Sequence, residues 1–256
     1  MKFEEYRDAF TTIALKREDG ILEMRVHTDD GPLVWSRHTH NELAEAFLAV
    51  ANDAGNEVVI LTGTGDVFSG PSVVPGSSRR DMGPQSADEW NEVFTVGKRL
   101  LFNLLDIEVP VIGAINGPAY RHPELPLLSD IVLASDEAVI QDAPHFQGGV
   151  VPGDGVHVAF PALMGVTRAR YFLTTGQVLT AAQALDFGLV NELLPLPQLL
   201  PRAWELARKL LEQPTLVRRY TRILLTEDLK DRMRRQLGYG LAIEGLAVMS
   251  GNPPTH

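Results

Sequence analysis

The chain has 256 residues, 45% of them hydrophobic and 22% charged, enough to bury one substantial core or two unequal ones. Its 33 acidic residues against 23 basic ones leave a formal charge of -10, which argues against a nucleic-acid backbone or an anionic membrane as partner. The absence of cysteine excludes disulfides, iron–sulfur ligation and thiolate zinc sites. No basic-then-apolar leader and no apolar run near the roughly 18 residues of a membrane span is visible, so the expected address is the cytoplasm.

Two β-rich runs come first, Thr12-Ile-Ala-Leu-Lys16 and Ile21-Leu-Glu-Met-Arg-Val-His27, and the turn-prone Glu18-Asp19-Gly20 between them predicts a hairpin. Leu43, Phe47, Val50 and Ala51 recur at helical spacing between about His40 and Asp53, ahead of the apolar strand Val58-Val-Ile-Leu-Thr62. Residues 63–84 are rich in Gly, Pro and Ser, and a loop of that length reads as part of an active site. A helix over Ala87–Leu105 leads to Val109-Pro-Val-Ile-Gly-Ala-Ile115, then to Ile131–Ala134 and Ala138–Ile140, runs suited to strands. Strands alternating with helices imply an α/β core. After about Pro197 the pattern turns helical, over Leu199–Leu211, Leu216–Leu225 and Asp228–Met249, with Pro214 as a break. Such a tail has apolar faces enough to meet a neighbouring subunit as well as its own core.

The densest polar stretches are Asn116-Gly-Pro-Ala-Tyr-Arg-His-Pro-Glu124 and the segment from Gln141 to Gly155, both just beyond predicted strands, where open α/β proteins bind ligands. That makes His122 and His145 candidates. An Asp within reach of an imidazole fixes its tautomer and stabilises the imidazolium, as a base acting on water requires. Asp154 could do this for His145, or could simply cap the apolar helix after Gly155. Pro118 and Pro123 stiffen the turn around His122, which could hold its ring to donate to a carbonyl; an ordinary loop histidine is the plainer alternative. Trp35 could offer its indole N–H to a ligand or fill the core, and the residues alone favour the core. His38 and His40 stand at a helix start with no third ligand at metal spacing and read as surface residues. Glu244, on a mostly apolar helix, must meet a partner or an interface. Signatures of a serine nucleophile elbow, a phosphate loop and a dinucleotide fold are absent.

The series Val58–Ser69, Pro110-Val-Ile-Gly-Ala-Ile-Asn-Gly117, Ser129–Ala134, Pro152-Gly153 and Thr180–Glu192 resembles the crotonase (enoyl-CoA hydratase/isomerase) superfamily over nearly the whole chain. The resemblance implies a spiral of ββα repeats over 1–196 and a helical trimerisation region over 197–256. It also locates departures. In the first oxyanion turn, Phe68-Ser-Gly-Pro-Ser-Val73, Pro71 replaces the usual glycine, and His122 falls where the second oxyanion glycine would. Leu125 and His145 take the places of the two hydratase glutamates.

This pattern is similar to the 6-oxocamphor hydrolase and β-diketone hydrolase branch. Leu33-Val-Trp35 matches its indole donor, His122-Pro-Glu its carbonyl-binding histidine, Pro144-His145-Phe with Pro152-Gly-Asp154-Gly its catalytic dyad, and Gly240-Leu-Ala-Ile-Glu244 its C-terminal glutamate. The resemblance therefore implies retro-Claisen cleavage of a 1,3-diketone without metal or organic cofactor. His145, Asp154, His122 and Glu244 would be catalytic, Trp35 and His122 would bind substrate, and the protein would be a trimer or a dimer of trimers. A CoA-thioester hydratase, isomerase or hydrolase is the alternative enzyme, and a non-catalytic trimeric binding protein the alternative class.

Overall fold

Burial patterns show why each strand sits where it does. After a short helical turn, α1 (Phe3–Tyr6), β1 (Ile13–Glu18) alternates buried and exposed residues as a half-covered edge strand should. It pairs antiparallel with β2 (Ile21–Val26). Asp19 and Gly20 turn the chain at φ of 50° and 82°, the left-handed pair that a tight hairpin needs. The expected hairpin is therefore present. Ser36 caps α2 (Arg37–Ala51) by accepting from Thr39 N–H at 3.2 Å. β3 (Val58–Gly63) follows and is buried at every position, because both faces of a parallel central strand are covered.

The computed structural model describes residues 1–70 and 86–250. Most of loop 63–84, and with it Pro71 of the first oxyanion turn, lies outside the described residues. Ser86 caps α3 (Ala87–Leu105), which leads to β4 (Val111–Ile115), α4 (Glu124–Leu127), β5 (Ile131–Ser135) and β6 (Val139–Ile140). Then come a single 3₁₀ turn, Phe146–Gly148, and α5 (Val156–Met164), α6 (Val166–Thr175), β7 (Leu179–Thr180), α7 (Ala181–Asp186) and β8 (Glu192–Leu194).

The main sheet runs in the order β1-β2-β3-β4-β5-β8, with every pair after the first parallel. A second ladder grows beside it. Single bridges join Val34 to Gly70, Ser69 to Ala119 and Ala119 to Ile140, and β6 pairs with β7. Successive passes of the chain thus give a strand to the main sheet and then a short extended piece to the second ladder. This is the mixed α/β layout that ββα units produce.

Two helices close the chain, α8 (Leu196–Leu211) and α9 (Thr215–Met249). Leu199, Ala203, Trp204 and Ala207 of α8 pack on Ile21, Val58, Ile60, Ile112 and Leu133, on one face of the sheet. Val59, Leu61, Val111 and Ile115 face the larger core on the other side. Leu216–Leu225 and Asp228–Met249, expected as two helices, are instead parts of one: α9 is a single helix of 35 residues. No Gly or Pro interrupts Leu225–Asp228, and Thr226 returns its hydroxyl to the Arg222 carbonyl at 2.8 Å inside the helix. Arg222 also ties α9 to the body of the protein, through Asp130 at 2.6 Å and the Ile107 carbonyl at 2.6 Å. No helix among the described residues is long and apolar enough to cross a membrane.

Candidate active site

The turn after β4 brings the first imidazole. Asn116 donates to the carbonyls of Gly65 and Val67 at 2.9 and 3.3 Å, pinning the loop after β3 against the end of β4. Gly117 is required there, since a Cβ would stand 1.8 Å from the Asp66 carbonyl oxygen. His122 follows at φ 48°, a left-handed conformation that glycine takes at little cost and an imidazole does not. The backbone thus keeps a glycine-like conformation while the side chain is a histidine. Strain held at such a position is a mark of a working site.

His122 is 8% exposed. Its Nδ1 lies 2.8 Å from Glu124 Oε1 and 3.6 Å from Asp154 Oδ2. Burial alone would lower its pKa, but the charge of Glu124 and the hydrogen bond to it outweigh burial and raise it. Trp35 stacks on the ring at 4.1 Å between centroids, and His40 meets it edge-on at 4.6 Å.

The second imidazole comes from the stretch between β6 and α5. His145 is 4% exposed. Asp142 Oδ1 lies 2.5 Å from its Nδ1, while Asp154 Oδ2 and Glu244 Oε1 lie 3.3 and 3.8 Å from its Nε2. Burial disfavours the charged ring, yet the Asp154 and Asp142 carboxylates raise its pKa well above the ordinary imidazole value. Asp154 moves the opposite way: burial would raise it, but the charge of His145, its hydrogen bond and then His122 hold it well below the usual carboxylate range.

Asp154 does not cap α5. Gly155 occupies that position at φ 115°, no side chain accepts there, and Asp154 Oδ1 has no hydrogen-bond partner among the described residues. The carboxylate is left for the two histidines. α9 supplies Glu244 from the same chain. The approach is possible because Gly153 meets Gly240 backbone to backbone; a Cβ on Gly153 would stand 2.3 Å from the Gly240 carbonyl oxygen. Burial, then the nearby Asp154 charge, push Glu244 up to about 8, so it holds a proton at neutral pH.

The structure thus gathers His122, His145, Asp154, Glu244 and Trp35, all five residues singled out in the sequence. Two features differ from expectation. His40 is not a surface residue: its Nδ1 accepts the Trp35 indole N–H at 2.9 Å, and burial, with His122 beside it, pulls its pKa down to about 3. The indole N–H is therefore given to His40. Asp142 and Glu124, the direct partners of the two histidines, were not singled out, although each lies within three positions of its histidine.

His122, Glu124 and Asp154 also bring one ligand-type atom each within 4.8 Å of one another. The hydrogen bond between His122 and Glu124 already accounts for the closest pair. The cluster brings two imidazoles and the carboxyl groups of Asp154 and Glu244 into one buried space, groups that can take and give protons beside a carbonyl compound.

The sequence profile of enoyl-CoA hydratase/isomerase matches residues 16–244. A crotonyl-CoA hydratase of Syntrophomonas wolfei is 28% identical over 230 residues, 90% of this chain and 86% of that protein. A hydroxycinnamoyl-CoA hydratase-lyase of Pseudomonas fluorescens is 27% identical, covering 84% of this chain and 78% of its own length. Among solved structures, a β-diketone hydrolase from the cyanobacterium Anabaena sp. PCC 7120, bound to (S)-3-oxocyclohexyl acetic acid, superposes with a TM-score of 0.90 at 45% identity, covering 96% of this chain and 97% of that one. An enoyl-CoA hydratase/isomerase from Mycobacterium paratuberculosis superposes with a TM-score of 0.82 at 24% identity over 94% and 95% of the two chains, a likeness of fold.

Proposed function

The chain belongs to the enoyl-CoA hydratase/isomerase (crotonase) family, and within it we propose a β-diketone hydrolase that cleaves a carbon–carbon bond of a 1,3-diketone to give a keto acid. One observation carries the reading. Two buried imidazoles, His145 and His122, stand 3.3 and 3.6 Å from the same Asp154 carboxylate oxygen, the second on a glycine-like backbone. The similarity to the Anabaena β-diketone hydrolase supports it.

In the proposed reaction His145 Nε2 takes a proton from water, and the oxygen attacks one carbonyl carbon to form a tetrahedral oxyanion. Re-formation of that carbonyl expels the carbon lying between the two carbonyl groups, and the electron pair of the broken bond delocalises onto the second carbonyl as an enolate. His122, bonded to Glu124 through Nδ1, keeps an N–H on Nε2 when charged and holds that enolate oxygen. The imidazolium of His145 returns its proton to the enolate carbon, so the net change is addition of water across the C–C bond. A 1,3-relationship is needed because the second carbonyl accepts the electrons. Glu244, protonated near neutrality, adds no third carboxylate charge beside His145. For Trp35 to donate to substrate, its bond to His40 must open; in this structure it packs the face of His122.

No step calls for a metal or an organic cofactor, and the partner is a small diketone, with assembly as a homotrimer or dimer of trimers in keeping with the family. A purified His145→Ala chain with a native circular dichroism spectrum should lose about 10²- to 10⁴-fold in diketone hydrolysis. Full hydrolysis by that variant would overturn the assignment of the base.

A further inference from the structure

The imidazole used as the base has two carboxylate neighbours, and they stand on different nitrogens. Asp142 Oδ1 lies 2.5 Å from Nδ1, and both residues are buried, at 3% and 4% exposure. The backbone around them is pinned: Ala143 N–H donates to the Tyr120 carbonyl at 3.0 Å, and Val150 N–H to the His145 carbonyl at 2.9 Å. The short Asp side chain therefore meets the ring from a fixed position. Asp154 and Glu244 lie on the Nε2 side.

A neutral imidazole has one N–H and one lone pair, and a carboxylate can only accept. A neutral His145 has one N–H for two carboxylates, and giving it to the nearer, Asp142 at 2.5 Å against Asp154 at 3.3 Å, puts the hydrogen on Nδ1 and leaves the lone pair on Nε2. We propose that Asp142 is the positioning residue of the hydrolytic base, fixing the Nδ1–H tautomer and the ring orientation of His145, while Asp154 works on the Nε2 side between the two imidazoles. This inference builds on the reading of His145 as the base. It gives the two aspartates separable roles: Asp142 acts through His145 alone, whereas Asp154 adjoins the nitrogen that meets water and is shared with His122.

The groups that face His145 are Asp142, Asp154, Glu244, His122 and His157, and the Arg121 guanidinium lies within electrostatic reach of Asp142. Removing either aspartate charge makes the imidazolium less favourable. Only removal of Asp142 releases Nδ1.

Nitrogen-15 NMR of the full chain labelled at histidine tests this, with His145→Ala to assign the ring and Asp142→Asn and Asp154→Asn to separate the carboxylates. In the neutral wild-type ring the expected tautomer is Nδ1–H, with its proton far downfield. That signal should persist in Asp154→Asn and be lost, or give way to the Nε2–H tautomer, in Asp142→Asn. In parallel, Asp142→Asn should lose about 10²- to 10⁴-fold in kcat with little change in KM, as expected for an imidazole in the wrong tautomer. Its acid limb should move to lower pH, and Asp142→Glu should recover part of the rate. An Nε2–H tautomer in the wild-type ring would overturn the proposal, as would a downfield signal that survives Asp142→Asn and vanishes in Asp154→Asn. The wild-type tautomer can be read even if a variant fails to fold. It also needs no substrate, so absence of diketone turnover would sink the proposed reaction while leaving the tautomer to be judged separately.

Discussion

Replacing Glu244 by Gln should stabilise the protein, increasingly so as the pH rises. In the native site burial and the charge of Asp154 move this carboxyl from an ordinary 4.5 to about 8, whereas in the unfolded chain it ionises near its ordinary value. Between those two values the native state holds a proton that the unfolded state has released. Rising pH therefore favours unfolding across that window, and the effect levels off above it. At ~1.4 kcal/mol per pH unit, the full window corresponds to roughly 5 kcal/mol. Coupling to Asp154, Asp142 and His145 spreads part of this over the cluster, so a difference of about 3 to 5 kcal/mol is expected. Gln has nearly the same shape and no charge to bury, and it removes the pH dependence at this position. Urea denaturation of the two proteins between about pH 5 and 9 measures the gap. The variant should match the wild type at the acid end and exceed it by a widening margin up to about pH 8. A difference that stays constant with pH, or a variant less stable at the alkaline end, would refute a buried, protonated Glu244.

Two further outcomes follow from the same geometry. Because Asp154 and Asp142 raise the His145 pKa well above 6.5, and only the neutral ring takes a proton from water, kcat/KM for diketone hydrolysis should fall as pH drops through that raised value; a limb at or below 6.5 would contradict the carboxylate pairing. Gly153→Ala would put a methyl 2.3 Å from the Gly240 oxygen and 2.8 Å from Glu244 Cβ, so it should cost about 1 to 3 kcal/mol in thermal unfolding and lower the rate by displacing Asp154 and Glu244 together. A variant with wild-type stability and activity would show that the contact between this loop and α9 is loose.

Much of this arrangement was legible in the sequence, and the exceptions have physical reasons. The apolar runs at Val58 and Val111 read as strands because both faces of a parallel strand are covered, leaving no polar alternation. His122 and His145 stood out because they follow strand ends. Asp142 did not, because whether an Asp three positions before a histidine faces its ring depends on the path of the loop after β6, which carries no periodic pattern. His40 was misjudged for a related reason: at the start of an amphipathic helix, exposure depends on what lies beside the first turn. Here those neighbours are Trp35, just before the helix, and His122, brought in from a distant segment. Leu216–Leu225 and Asp228–Met249 were expected as separate helices, yet they are one. Helix continuity there is set by packing and by the Thr226 bond to its own helix, not by composition.

The proposed reaction is tested most directly by incubating the purified protein, without metal, cofactor or CoA, with a panel of monocyclic and symmetric bicyclic 1,3-diketones. Loss of diketone absorbance and formation of keto acid are followed together. Cleavage of at least one member to its keto acid, abolished in His145→Ala, is the expected result. No turnover across the panel, with acyl-CoA esters bound or hydrated instead, would contradict it and place the chain with the CoA-dependent members of its family.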